Sequence, residues 1–217
     1  MSKYLFFILL FYTLIACATC KNKISEQLPV YNSANFTPLW LSKKQMQNDS
    51  LHKIAPFSFI NQDNKKITET DFVGKIQIAN FFFSSCPSIC PKMTNNLQKV
   101  QTTFLNDTTV LLVSFSVMPW IDTVKKLKVY ADNFDIKSNK WHLLTGNAGE
   151  IYNLARKSYF AEEAIGFSRD STEFLHTEHI LLVDGNRHLR GLYNGTLPLE
   201  IERLIDDIKI LKLETLR

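Results

Sequence analysis

Two stretches of this chain are apolar almost without interruption: Ile76 to Phe83 and Val110 to Phe115. Runs of that length without polar alternation are expected of strands buried on both faces. The first feeds through Ser84-Ser85 into Cys86-Pro87-Ser88-Ile89-Cys90-Pro91, after which Met93, Leu97, Val100 and Phe104 recur at helical spacing to about Leu105. The pattern predicts a strand, a tight turn and a helix, with both thiols at the helix's first turns. Ile54 to Ile60 alternates weakly, meets the turn cluster Asn61-Gln62-Asp63-Asn64 and returns through Ile67, as a hairpin would. Thr70-Asp71 predicts a short capped helical turn stopping at Gly74. Asp122 is the expected N-cap of a helix carrying Val124, Leu127, Val129, Tyr130 and Phe134. Trp141 to Leu144 reads as a short strand, and Asn147 to Glu150 as a capping box for a helix through Leu154 and Tyr159. Phe160 to Leu175 has no clear period and is expected to be a loop or insertion. His179 to Val183, the turn Asp184-Gly185-Asn186 and His188 to Tyr193 form a second hairpin, and Thr196 to Leu211 closes the chain as an amphipathic helix.

Strand and helix thus alternate three times before the hairpin and the last helix. That order describes an α/β domain with a mixed central sheet flanked by helices. The cysteine turn lies at the carboxyl end of a central strand, where open α/β sheets place their sites. This is a thioredoxin-like layout with a β-hairpin, expected over residues 51–213 of the 217.

The N-terminal pattern is of another kind. Lys3 precedes an apolar run from Leu5 to Ile15, about eleven residues, too short to span a hydrocarbon core of ~30 Å as a helix but suited to the centre of a secretory signal. It ends in Leu14-Ile15-Ala16-Cys17, which resembles the lipobox of bacterial lipoproteins. The resemblance implies a signal peptide over residues 1–16, lipid on Cys17 and a domain held at a membrane of the cell envelope, outside the cytoplasm. Cys20 does not fit, because the pattern would then need Leu where Cys17 stands. Residues 17–50 are expected to be a tether and a docked arm. Leu28, Val30, Tyr31, Phe36, Leu39 and Trp40 are too apolar for a solvated linker, and Pro29 and Pro38 oppose helix.

Charge adds little. The chain carries 25 basic and 21 acidic side chains, a net charge of +4, and the bases are scattered, which argues against a nucleic-acid partner.

The chemistry concentrates at Cys86 and Cys90. Helix N-terminal amides favour a thiolate there. Their i to i+4 spacing puts both sulfurs on one helix face, where they could close a disulfide if the turn is loose or point together at one metal ion. Two thiolates are soft ligands suited to Cu(I), zinc or an iron–sulfur cluster, and a closed site needs a further donor. Five histidines are available. His52 falls in a linker, His142 inside a strand, and His188 among charged residues where solvation is expected. His179 starts a strand; His176, in the loop before it, can reach the sheet end that carries the cysteine turn.

Phe81-Phe-Phe-Ser-Ser-Cys-Pro-Ser-Ile-Cys-Pro91 resembles the signature of the Sco/SenC proteins, copper chaperones of cytochrome c oxidase assembly. In that family a distant histidine precedes a strand-ending Asp by eight residues, as His176 precedes Asp184. Gly74-Lys75, Leu143 to Gly146 and Val183 to Gly185 extend the similarity over roughly Leu51 to Leu211. The resemblance implies a copper ion, Cu(I) or Cu(II), held by Cys86, Cys90 and His176. It would be delivered to the dinuclear copper site of the oxidase's copper-bearing subunit. The chain departs from the family in two places: Met118 stands where Asp is common, and Leu175 replaces an Asp before the histidine.

A second function uses the same residues. As a thiol–disulfide oxidoreductase, the Cys86–Cys90 pair would reduce the cysteines of the oxidase copper site and be restored by a thioredoxin-like reductant. A peroxidase is disfavoured, since no basic residue precedes Cys86 in the turn. A purely structural disulfide leaves the paired prolines and His176 unexplained. Enzyme or chaperone is a division the sequence leaves open.

Overall fold

The computed structural model describes residues 27–161 and 177–215. Cys17, Cys20 and His176, with most of the unpatterned stretch between Phe160 and Leu175, lie outside them. Among the described residues nine strands form one sheet in the order β2-β1-β9-β8-β5-β6-β7-β3-β4. The strands are β1 (Val30–Tyr31), β2 (Pro38–Leu39), β3 (Ser58–Asn61), β4 (Lys66–Thr68), β5 (Ile76–Phe82), β6 (Val110–Ser116), β7 (Trp141–Thr145), β8 (His179–Val183) and β9 (Leu189–Asn194). The helices are α1 (Lys43–Met46), α2 (Ile89–Thr103), α3 (Val124–Asn133), α4 (Ala148–Lys157) and α5 (Pro198–Thr215), with a 3-10 turn at Glu69–Phe72.

The two unbroken apolar runs are the centre of this sheet. Every residue of β5 and of β6 is buried. β5, β6 and β7 run parallel, and every other pairing is antiparallel. Polar atoms inside the parallel core satisfy one another: Trp141 Nε1 donates to Ser114 Oγ at 2.8 Å, and Ser114 Oγ donates to Asn80 Oδ1 at 2.6 Å. One face of β5 and β6 is aromatic. Phe115 lies 5.3 Å from Phe81, 5.4 Å from Phe57 and 5.6 Å from Tyr159, centroid to centroid. Each such pair is worth about 0.5–1.5 kcal/mol beyond the area it buries. On the other face Phe82 meets Tyr130 of α3, and α2 packs on α5.

The apolar segment from Leu28 to Leu41 adds two short strands to the edge of the sheet, β1 pairing with β9 through Tyr31 and Leu189. Leu28 and Val30 are buried. Arg190 fixes the segment there, donating to the carbonyls of Leu28 and Pro29 and to the carboxylates of Asp184 and Glu214.

Three local expectations differ from the structure. The 3-10 turn is capped by Thr68, whose amide donates to Asp71 Oδ2 within the turn, and not by Thr70-Asp71. The N-cap of α3 is Thr123, whose hydroxyl accepts from Lys126 N, and not Asp122. The Asp122 carboxylate is drawn inward by two serines at the ends of β5 and β6. His188 is buried and not solvated: its amide donates to Asp184 Oδ1 at 2.9 Å, and its ring faces Asp184 Oδ2. Charged neighbours gather there because they neutralise one another under the edge that the arm covers.

Candidate metal centre

β5 ends at Phe82, and the chain turns through Ser84 and Ser85 to Cys86, whose amide donates to Phe83 O at 3.2 Å. α2 begins three residues later, with Cys90 in its first turn. Both cysteines are buried and both are free thiols. The N-cap residue Ser88 makes no side-chain cap. The Cys86 sulfur lies just ahead of that turn, where the backbone amides of Cys90, Ser88 and Ile89 favour its charged form. Orphan amides of a helix's first turn are a ready site for negative charge.

The two thiols differ in consequence. Burial pushes Cys86 up, but the helix amides and the Cys90 thiol outweigh it, so the Cys86 pKa lies below that of an ordinary thiol. Cys90 is pushed up to about 12, chiefly by burial, with the Cys86 sulfur and the Asp122 charge adding to it and the Phe83 amide opposing. One thiol is ready to ionise and its neighbour holds its proton, as in pairs where one sulfur attacks and the other resolves. Tyr130, whose hydroxyl pairs with Thr94 Oγ1 at 2.8 Å, has its pKa raised by burial and then by the charges of Cys90, Cys86 and Asp122, which places it close to the pair.

Sequence reasoning missed the brace under this turn. Asp122, fully buried, accepts from the Ser84 amide at 3.0 Å, from the Ser84 hydroxyl, and from Ser116 Oγ at 2.6 Å. The signal was present: a serine two residues past β5, a serine closing β6, and an acid in the following loop. Met118 is partly buried against the core, its carbonyl accepting from the amides of Ile121 and Asp122, and Met93 is fully buried.

The described histidines are placed as follows. His52 Nε2 lies 2.7 Å from Ser158 O, His142 Nδ1 lies 3.3 Å from Asn61 Nδ2, and His188 belongs to the Asp184 cluster. His179 opens β8, which runs antiparallel to β5 with Ile180 opposite Asn80. The chain therefore enters β8 at the sheet end where β5 delivers the cysteine turn. Among the described residues no three His, Cys, Asp or Glu side chains gather as a metal-binding group. The donor set at the turn is two sulfurs, one of them favoured as thiolate, which fits a soft ion such as Cu(I) and leaves room for an outside ligand.

Residues 45–212 match the SCO1/SenC family profile. The fold is similar to a SCO1/SenC family lipoprotein from Bacillus anthracis, with 29% identity and a TM-score of 0.65 over 74% of this chain and 95% of that one. It is also similar to BsSco, a member of the Sco family of cytochrome c oxidase assembly proteins in which a disulfide switch was identified. There the identity is 31% and the TM-score 0.62, over 73% of this chain and 92% of that one. A third similar structure is Arabidopsis thaliana ScoI with copper bound, at 26% identity and a TM-score of 0.56 over 73% and 98%. A profile match over most of the chain, carried by a thioredoxin-like fold with its dithiol turn at the end of the central strand, has one meaning: this chain belongs to the SCO1/SenC family.

Proposed function

We propose that this protein is a copper metallochaperone of cytochrome c oxidase assembly. It binds copper through the thiolates of Cys86 and Cys90 and the imidazole of His176, and passes it to the dinuclear copper site of the oxidase's copper-bearing subunit. The observation that carries this reading is the pair of buried free thiols, Cys86 just ahead of α2 and Cys90 in its first turn. Helix amides that stabilise a thiolate also stabilise a thiolate ligand, and a Cys–Cys pair is selective for soft ions. The family supports the choice of metal, since related structures hold copper. His176 brings the third donor from the segment that leads into β8. A three-ligand site suits transfer, because an incoming ligand can attack before the first set lets go. Cys17 carries the lipid that holds the domain at a membrane of the cell envelope, outside the cytoplasm, with residues 17–50 as tether and arm.

Anaerobic Cu(I) titration of the reduced protein tests this, with Cys86→Ala, Cys90→Ala and His176→Ala alongside the parent. Each variant should lose tight binding. Parent-like affinity in all three sinks the metallochaperone reading.

A second reading is favoured by the unequal thiols. The Cys86 thiolate attacks a target disulfide, forming a mixed disulfide and releasing one target thiolate. Cys90, giving up its proton, then attacks Cys86 and releases the second. The target gains two electrons and the pair becomes a disulfide, to be reduced again by an external dithiol. His176→Ala separates the two: a reductase keeps its effect on the oxidase, a metallochaperone loses it.

A further inference from the structure

Two grooves with exposed apolar side chains set among cations lie on the elements that follow β6. One, of about 350 Å³, runs from Ser84 and Ser85 of the dithiol turn to Lys125, Lys126 and Val129 of α3. The other, of about 680 Å³, lies between Trp120 and the α4 residues Tyr152, Arg156 and Lys157. Trp120 is 61% exposed and Val129 54%. An apolar side chain set within a polar rim is the anatomy of a protein–protein interface.

The two grooves are joined to the site by hydrogen bonds. Trp120 stands at the tip of the turn from Met118 to Asp122, closed by the Ile121 and Asp122 amides on Met118 O. Asp122 holds Ser84, two residues before Cys86. Tyr152 Oη donates to Val117 O at 2.7 Å, fastening the α4 wall to the same loop. Pressure on Trp120 is therefore applied to the loop that braces the cysteine turn.

The charges are placed against local interest. α2 and α3 both start with no acid in the first turn, while Lys92 follows Cys90 and Pro91, and Lys125 and Lys126 open α3. Cations at a helix N-terminus oppose the macrodipole. Lys92, Lys125, Lys126 and Lys157 form no ion pair with any described residue. Cations without an ion-pair partner beside exposed apolar side chains are complementary to one kind of surface: an acidic rim enclosing an apolar depression.

We infer that this face is where the copper-accepting protein docks. Trp120 inserts into an apolar depression beside the acceptor's metal site, and Lys92, Lys125, Lys126 and Lys157 meet carboxylates around it. The inference rests on the metallochaperone reading and adds to it the chemistry of the partner's surface.

The test uses the full-length, lipid-anchored protein in detergent, loaded with Cu(I), and the metal-free oxidase subunit that accepts copper. Affinity and transfer rate are measured for the parent, for Trp120→Ala, for Lys125→Glu with Lys126→Glu, and for Trp40→Ala. Trp40 is 62% exposed on the arm and serves as control. Trp120→Ala should weaken the complex about thirty-fold, the scale of a central aromatic anchor. The double charge reversal should slow association about tenfold or more at low salt and remove most of its salt dependence. Trp40→Ala should match the parent, and all variants should hold Cu(I) as tightly as it does. Transfer at the parental rate and salt dependence by both face variants overturns the docking surface while leaving the copper reading intact. A parent that holds no Cu(I) overturns the copper reading itself.

Discussion

The Asp122 carboxylate holds both the amide and the hydroxyl of Ser84, two residues before Cys86. With Ser116 Oγ it receives three hydrogen bonds in a site closed to solvent. Asp122→Ala strands those donors, and a buried donor left unpaired costs about 1–3 kcal/mol. The variant should lose roughly 3 kcal/mol in urea unfolding, while Asp122→Asn, which keeps one acceptor, loses less. Both should also lower the Cys90 pKa, because the charge that opposes its ionisation is gone. Equal stability of all three proteins removes the brace from this account.

The thiols should titrate apart. With its pKa below the ordinary value, Cys86 is more ionised at any given pH than an unperturbed thiol, so iodoacetamide should modify it first at pH 7–8. Cys90, pushed up to about 12, should resist until the fold opens. Cu(I) binding must displace the Cys90 proton, so loading should release protons and affinity should rise with pH through the neutral range. Mass spectrometry of partly alkylated protein, with proton release followed during titration, checks both. Preferential labelling of Cys90 contradicts the assigned order.

Periodicity made the central elements legible because local sequence and global burial agree there. Ile76 to Phe83 can only be a buried strand, and Met93, Leu97 and Val100 share one helix face, all three fully buried. The pattern could not show pairings whose partners are distant in sequence. Asp122 looked like a helix cap because capping is local, whereas its serine partners lie six and thirty-eight residues away. His188 looked solvated because its neighbours are charged, yet those charges close on Arg190 and Asp184 beneath an arm some 160 residues earlier. At the site the two cysteines were plain from spacing, and the inequality between them was not, since it depends on which sulfur the helix amides face.

Gly185 sits against Gly74, whose amide donates to Gly185 O at 3.0 Å. A Cβ on Gly185 would stand 2.8 Å from the Gly74 carbonyl carbon and 2.9 Å from its Cα, both backbone atoms that cannot rotate away. Gly74 itself is at φ +73°, so the contact joins a constrained turn ahead of β5 to the turn between β8 and β9. Gly185→Ala should cost about 1–3 kcal/mol, as overpacking does. Chemical denaturation measures it, and a change within a few tenths of zero refutes the close approach.

Arg190 carries the last prediction, which concerns the arm. Its guanidinium is buried, pairs with Asp184 at 3.1 Å and Glu214 at 2.6 Å, and donates to the Leu28 and Pro29 carbonyls. Removing one partner of a buried pair leaves the other charge unmatched, at about 3–5 kcal/mol. Arg190→Ala should therefore destabilise the protein by roughly 3 kcal/mol at pH 7 and free residues 28–41 for protease cleavage, while Arg190→Lys recovers part of the loss. The effect has a pH signature. Burial pushes the Asp184 carboxyl up, but the His188 hydrogen bonds and Arg190 outweigh it, so its folded pKa lies below the ordinary value of about 3.9. A depressed carboxyl adds stability that is complete above that value and is lost as pH falls through the folded pKa. The gap between parent and Arg190→Ala should accordingly be full at pH 7 and shrink below about pH 4, where protonated Asp184 no longer needs its cation. Urea unfolding at pH 7 and pH 3 reads it directly, and a gap that stays constant or widens in acid shows that Arg190 acts on the arm without the Asp184 charge.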